Sequence, residues 1–71
     1  IDARELGRLI SDFVRGLPAK RQYIFMGRFY FADSVAVIAD ELKITESAVY
    51  KEIKKLRKDL RTFLELKEVY V

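Results

Sequence analysis

The sequence has no cysteine and no histidine among its 71 residues. Their absence excludes disulfide bonds, thiolate chemistry and zinc sites built from these two residue types. It also removes most nucleophile–base pairs, and the sequence has no glycine-rich phosphate loop. The closest carboxylate pairs are Asp2 with Glu5 and Asp40 with Glu41. Both pairs fit helix ends or surfaces better than acid–base catalysis. We therefore expect no enzyme, no catalytic or metal-binding residue and no cofactor.

Glycine and proline are also scarce, with three glycines and one proline in the chain. This scarcity argues against a linker or a disordered tail, and a hydrophobic content of 51% favours a folded unit. No run approaches the roughly 20 apolar residues of a membrane-spanning helix, and no stretch resembles a signal peptide. We expect a single domain over residues 1–71 in the cytoplasm, without a membrane partner or a small-molecule substrate. The start at Ile1 favours a fragment of a longer chain.

Positive charge is concentrated in one short stretch of the sequence. The formal net charge of the whole chain is +3. Residues 50–61 contain six bases and two acids, a net charge of +4, so the other residues sum to −1. Such a local excess indicates a binding surface for a polyanion rather than a uniformly basic protein.

Helical spacing of apolar residues predicts four helices. The first begins after Asp2, a good N-cap residue, and ends at Gly16, which tolerates the left-handed conformation common after helices. Pro18 suits the start of a second helix that runs from about Ala19 to Tyr30. Because this helix is crowded with aromatic residues, we expect it to be central to the core. Its Gly27 indicates a close approach of another helix.

The last two helices are predicted at about Val35 to Leu42 and about Glu46 to Leu66, with Ser34 and Thr45 as N-caps. The longer helix carries an apolar stripe with spacings of 4, 3, 4 and 3: Val49, Ile53, Leu56, Leu60 and Phe63. The nearly opposite side is polar and basic at the same spacings: Ser47, Lys51, Lys54, Lys58 and Arg61. The predicted fold class is all-α, a four-helix domain with a C-terminal helix-turn-helix and a long last helix.

Helices three and four match the layout of a helix-turn-helix. The small residue Ala39 lies midway along helix three, where helix four must cross closely. Apolar residues of both helices supply a shared core: Ile38, Leu42, Ile44, Val49 and Ile53. Helix four starts with the polar run Thr45-Glu46-Ser47, at the end that enters the major groove in this motif. The alternative interpretation is a plain helical bundle with a solvated charged face.

From Leu17 onward the sequence resembles region 4, the C-terminal domain of bacterial RNA polymerase sigma factors. The similar segments are Leu17-Pro18 with Arg21 and Ile24-Phe25, then Arg28-Phe29-Tyr30, Ser34 with Ile38-Ala39, residues 42–49 and the basic run of residues 54–60. Three positions depart from the family pattern. Lys43 stands where the turn often has glycine, which would suit a positive φ. Val37 stands where glutamate is common, and Tyr50 where a basic residue is usual.

The resemblance implies binding to the promoter −35 element by a domain attached to RNA polymerase. It implies base contacts from Tyr50, Lys51 and Lys54, to which the polar start of the helix adds Glu46 and Ser47. It implies phosphate contacts from flanking residues: Ser34, Thr45, Ser47, Lys55 and Lys58. The implied partners are double-stranded promoter DNA, the β flap of the RNA polymerase core and an anti-sigma factor.

Helix two and its end hold five aromatic residues within nine positions, namely Tyr23, Phe25, Phe29, Tyr30 and Phe31. We favour the interpretation that this cluster is core. The alternative is that Tyr23 or Phe31 stays exposed and contacts a protein partner. That alternative suits a second function, a helical protein-interaction module. A third possibility is the DNA-binding domain of a separate transcription regulator.

Overall fold

The structure, a computed structural model, describes residues 1–69 of the chain. Over these residues the chain forms four helices and no strand. They are α1 (Ala3–Arg15), α2 (Ala19–Phe25), which continues as a π-helical turn (Met26–Tyr30), α3 (Val35–Leu42) and α4 (Glu46–Leu66). The predicted all-α fold class with a long last helix is confirmed. No helix within this range has the length and apolar character needed to cross a membrane.

The ends of α1 follow from its flanking residues. The carboxylate of Asp2 accepts a hydrogen bond from the amide of Glu5 at 2.8 Å, which pairs one of the free N–H groups of the first turn. At the other end Gly16 has φ −82° and ψ −6°, which is right-handed. The prediction of a left-handed Gly16 is therefore wrong. Its amide instead continues the last turn by donating to the carbonyls of Asp12 and Phe13.

Left-handed backbone occurs at Lys43, the turn position where the family that the sequence resembles often has glycine. Lys43 has φ 57° and ψ 45°, and it caps the C-terminus of α3. This conformation turns the chain so that the amide of Ile44 donates to the carbonyl of Ala39 at 3.0 Å. In this region of φ and ψ the Cβ of a non-glycine residue raises the conformational free energy by roughly 1–2 kcal/mol, and glycine has no such penalty.

We expect Lys43→Gly to raise the free energy of unfolding by about 0.5–1 kcal/mol, because removal of the left-handed penalty outweighs the chain entropy that glycine adds to the unfolded state. Urea denaturation measures the change. Lys54→Gly is the matched control, because the same substitution inside α4 should lower the free energy of unfolding by about 1 kcal/mol. A destabilised Lys43→Gly variant would contradict this account of the turn.

The second half of the predicted helix two is a π turn. The amide of Phe31 donates to the carbonyl of Met26 at 3.0 Å, five residues back rather than four. Side chains after Met26 are therefore rotated relative to those of a continuous α-helix. Four of the five aromatic residues lie on the surface: Tyr23, Phe29, Tyr30 and Phe31. The prediction that this cluster is core is correct for Phe25 alone.

Gly27 lies where the π turn meets α3. It is buried, and a Cβ built on it would stand 3.4 Å from the Ile38 side chain and 3.4 Å from the Asp33 carboxylate. At 3.4 Å a methyl group would already be in van der Waals contact with both side chains, so little room remains for a side chain larger than that of alanine. The close approach predicted at Gly27 is confirmed.

The core forms where α2, α3 and α4 meet, and α1 packs against α2 and α4. Phe13 of α1 stacks edge-on with Phe25 at 6.0 Å between ring centroids, and it lies 5.5 Å from the ring of Phe63. The predicted stripe of α4 faces this core: Val49, Ile53 and Leu56 are buried, and Leu60 and Phe63 are partly buried. The orientation of this stripe determines which side of α4 faces solvent.

Candidate nucleic-acid interface

The helix-turn-helix consists of α3, the three-residue turn Lys43-Ile44-Thr45 and α4. Buried side chains from both helices hold the pair together: Ile38 and Ala39 from α3, Val49 and Ile53 from α4. Ala39 is 5% exposed and leaves α4 room to approach. A short turn between two packed helices is the arrangement that presents the second helix to the major groove of DNA.

Both helices of the motif begin with a capping hydroxyl group. The side chain of Ser34 accepts from the amide of Val37 at 3.2 Å, and that of Thr45 accepts from the amide of Ala48 at 3.1 Å. Each hydroxyl keeps its own proton free to donate, and each residue is exposed. The helix amides nearby also favour an anion. The geometry therefore suits the phosphate role predicted for Ser34 and Thr45.

The solvent side of α4 carries a continuous basic strip. We call it the basic face of α4, and it consists of exposed residues only: Ser47, Tyr50, Lys51, Lys54, Lys55, Lys58 and Arg61. From Ser47 to Arg61 it is about 21 Å long at 1.5 Å per residue. The predicted base-contacting residues Tyr50, Lys51 and Lys54 lie on its N-terminal half, the part that a major groove admits.

One further predicted DNA contact, Glu46, lies outside the basic face of α4. Glu46 is exposed in the first turn of α4, where its carboxylate can accept from a cytosine amino group. Tyr50 is 61% exposed, so its ring and its hydroxyl are both accessible. All of the predicted DNA-contacting residues are thus exposed, and their individual roles stay predictions.

Arg21 of α2 is the main feature of this region that the sequence did not single out for a role. Its Nε donates to Oε1 of Glu52, and its Nη2 donates to Oδ2 of Asp59 at 2.8 Å. The hydrogen bond to Asp59 is the largest cause that raises the pKa of Arg21, with partial burial opposing it. Glu52 and Asp59 are the two acids of the basic stretch of residues 50–61. Both are therefore paired with a cation from another helix.

Arg57 belongs to a different surface from the other bases of its stretch. Its guanidinium lies 5.5 Å from the centre of the Phe29 ring, in a cation–π contact. It contributes to the positive charge near α4 but not to the basic face of α4. The charge pattern of the sequence could not separate these two surfaces, because it counts Arg57 with the lysines.

An apolar groove of about 690 Å³ lies between α1, α2 with its π turn, and α4. Its walls are largely apolar and aromatic: Ile10, Val14, Phe25, Met26, Phe29, Tyr30 and Leu60. Its two charged lining residues are Arg15 and Arg57. Grooves of this kind accept an apolar ligand or an amphipathic helix. We call it the aromatic groove.

The two residues predicted to bind a protein partner are exposed, but neither lines this groove. Phe31 is 64% exposed and packs edge-on against Tyr30, which does line the groove, with ring centroids 4.9 Å apart. Tyr23 is 43% exposed but does not line the groove. Phe29 and Tyr30 were missed as candidates, since a π turn leaves no recognised signal in the sequence.

Within residues 1–69 no group of three or more acidic side chains is placed to hold a metal ion. The sequence model of one protein family matches residues 3–70, and its description reads "Putative helix-turn-helix protein, YlxM / p13 like". No curated protein matches the chain. The family match covers nearly all of the sequence and agrees with the geometry of α3, the turn and α4. It confirms the helix-turn-helix part of the predicted resemblance. The chain belongs to this YlxM / p13-like helix-turn-helix family.

Proposed function

We propose that the chain binds double-stranded DNA by placing the N-terminal half of α4 in the major groove. We further propose that it does so as region 4 of an RNA polymerase sigma factor, at the −35 element of a promoter. This role in transcription initiation is cytoplasmic and non-enzymatic. The observation that carries the proposal is the exposure of Lys51, Lys54 and Lys58 on the side of α4 opposite its buried stripe.

The residues of the basic face of α4 suit two kinds of DNA contact, to bases and to phosphates. Lys51 and Lys54 lie in the second and third turns, where a lysine can donate to the O6 and N7 atoms of guanine. Lys55 and Lys58 lie beside or beyond them and suit phosphates, which fix the register without reading sequence. Ser34 and Thr45 add phosphate donors at the ends of the two helices.

The aromatic groove supports the polymerase part of the proposal. It lies between α1, α2 and α4, and the walls named above hold none of the predicted DNA-contacting residues. A helix of the polymerase β flap, or of an anti-sigma factor, can therefore occupy it while α4 is in the major groove.

The same groove is the observation that favours the alternative function, a helical protein-interaction module. Titration with purified core RNA polymerase separates the sigma role, which requires binding, from that of an independent regulator.

A titration of labelled duplex DNA with the 71-residue chain tests the DNA proposal directly. Between about 50 and 200 mM salt, the logarithm of the association constant should fall linearly with that of the salt concentration, by about 0.9 per phosphate contact. Weak binding at every salt concentration would contradict DNA binding and favour the interaction module.

We expect Lys58→Ala to weaken binding to all duplexes alike and to flatten the salt dependence by about one unit, because this residue is assigned to a phosphate. Glu65→Ala, at an exposed position farther along α4, is the control and should leave the slope unchanged. A Lys58→Ala variant whose loss depends on the DNA sequence would contradict the phosphate assignment.

A further inference from the structure

Arg21 connects α2 to the edge of the basic face of α4. It reaches two carboxylates that lie seven residues apart on α4, Glu52 and Asp59. Seven residues are about two helical turns, so both carboxylates lie on one side of the helix. The planar guanidinium has separate N–H donors for the two acids, which a lysine ammonium at the same place could not offer in a fixed geometry.

Lys55 occupies the position between these two acids on the surface of α4. It follows Glu52 by three residues and precedes Asp59 by four, and side chains at both spacings are neighbours on a helix. Without Arg21, either carboxylate could pair with the Lys55 ammonium. With Arg21 in place, both acids form ion pairs with this residue of α2. Lys55 is exposed and has no ion pair within residues 1–69.

We propose that Arg21 is a positioning residue for DNA binding, which holds Glu52 and Asp59 away from Lys55 and so leaves Lys55 free to contact a phosphate. The inference rests on the proposed DNA binding and adds a role for a residue outside the helix-turn-helix.

The test compares duplex binding and its salt slope across five chains: wild type, Arg21→Met, Lys55→Ala, Arg21→Met with Lys55→Ala, and Arg21→Met with Glu52→Gln and Asp59→Asn. Methionine keeps the apolar stem of Arg21 and removes its charge. We expect Arg21→Met to weaken binding severalfold at low salt and to flatten the slope by about 0.9, the value of one lost phosphate contact. In the Lys55→Ala background the same change should have little further effect. The triple variant should regain the wild-type slope, because the carboxylates that capture Lys55 are gone.

The outcomes separate this inference from the proposal on which it rests. A wild-type chain that binds no duplex overturns DNA binding and the role of Arg21 together. Normal wild-type binding with an unchanged Arg21→Met slope overturns only the role of Arg21, as does a triple variant that folds but stays weak. If Arg21→Met does not fold, Arg21→Gln takes its place in the same series, since a neutral amide forms no ion pair with either carboxylate. A wild-type slope for Arg21→Gln then overturns the inference.

Discussion

Replacing Leu56 with alanine is expected to lower the free energy of unfolding by about 2–5 kcal/mol. Leu56 is fully buried in the middle of α4 and belongs to the core cluster that all four helices share. Truncation removes buried apolar surface and leaves a cavity that the neighbouring helices can fill only in part. A domain of this length has a total stability of roughly 4–11 kcal/mol, so the loss is a large share of it.

Leu66→Ala is the matched control for this substitution. It makes the same chemical change on the same helix, but Leu66 is 78% exposed, so its effect should stay within about 0.5 kcal/mol. Urea denaturation, monitored by circular dichroism, measures the free energy of unfolding of both variants. Similar losses for both would contradict the packing of α4 described above, and with it the orientation of the basic face of α4.

Replacing Lys54 with alanine is expected to weaken binding to a preferred duplex by about 1–3 kcal/mol, or roughly 5- to 150-fold. The preferred duplex is selected from a random pool by the wild-type chain. Lys54 lies on the N-terminal half of the basic face of α4, within reach of base edges if α4 enters the groove. Binding to a random duplex should fall much less, because that interaction rests on phosphates.

Lys67→Ala is the control for Lys54→Ala. Lys67 follows the last residue of α4, about 20 Å from Lys54 along the helix, and its ammonium lies over the ring of Phe63. At that distance its charge is screened from the proposed site at physiological salt. Equal affinity of wild type and Lys54→Ala for the preferred duplex would show that Lys54 reads no base.

Local sequence signals predicted the ends of α3 and α4 because those ends depend on neighbouring residues. Ser34 and Thr45 each cap a helix through an amide three residues ahead, and the observed bounds of both helices equal the predicted ones. The 4-3 spacing of apolar residues likewise determined which side of α4 is buried, since that spacing matches the helical repeat. The accessible side of the candidate site could therefore be predicted from one segment of sequence.

Features that depend on distant residues were not predicted. The pairing of Arg21 with Glu52 and Asp59 spans 31 and 38 residues, and no local pattern marks it. The π turn after Phe25 also escaped prediction, so the aromatic side chains were assigned to the core instead of the surface. At the end of α4, the amide of Val69 donates to the carbonyl of Leu64 at 2.8 Å. This turn buries both side chains, neither of which belongs to the predicted stripe.

The separation of two surfaces on this small domain is the main consequence of these long-range features. Arg57 lies against Phe29 beside the aromatic groove, and Arg21 pairs with the acids at the edge of α4. The lysines between them are left exposed and free of those partners. We therefore expect that Lys54→Ala disrupts the proposed DNA surface alone and that Tyr30→Ala disrupts the proposed protein surface alone.

The central claim is that the basic face of α4 contacts DNA, and amide chemical shifts of the ¹⁵N-labelled chain during titration with a duplex test it most directly. We expect the largest shift changes in α4 from Glu46 to Lys58 and near Ser34, with small changes around Ile10 and Met26 in the aromatic groove. Changes centred on the aromatic groove, with the amides of Lys51 and Lys54 unmoved at saturating DNA, would contradict it.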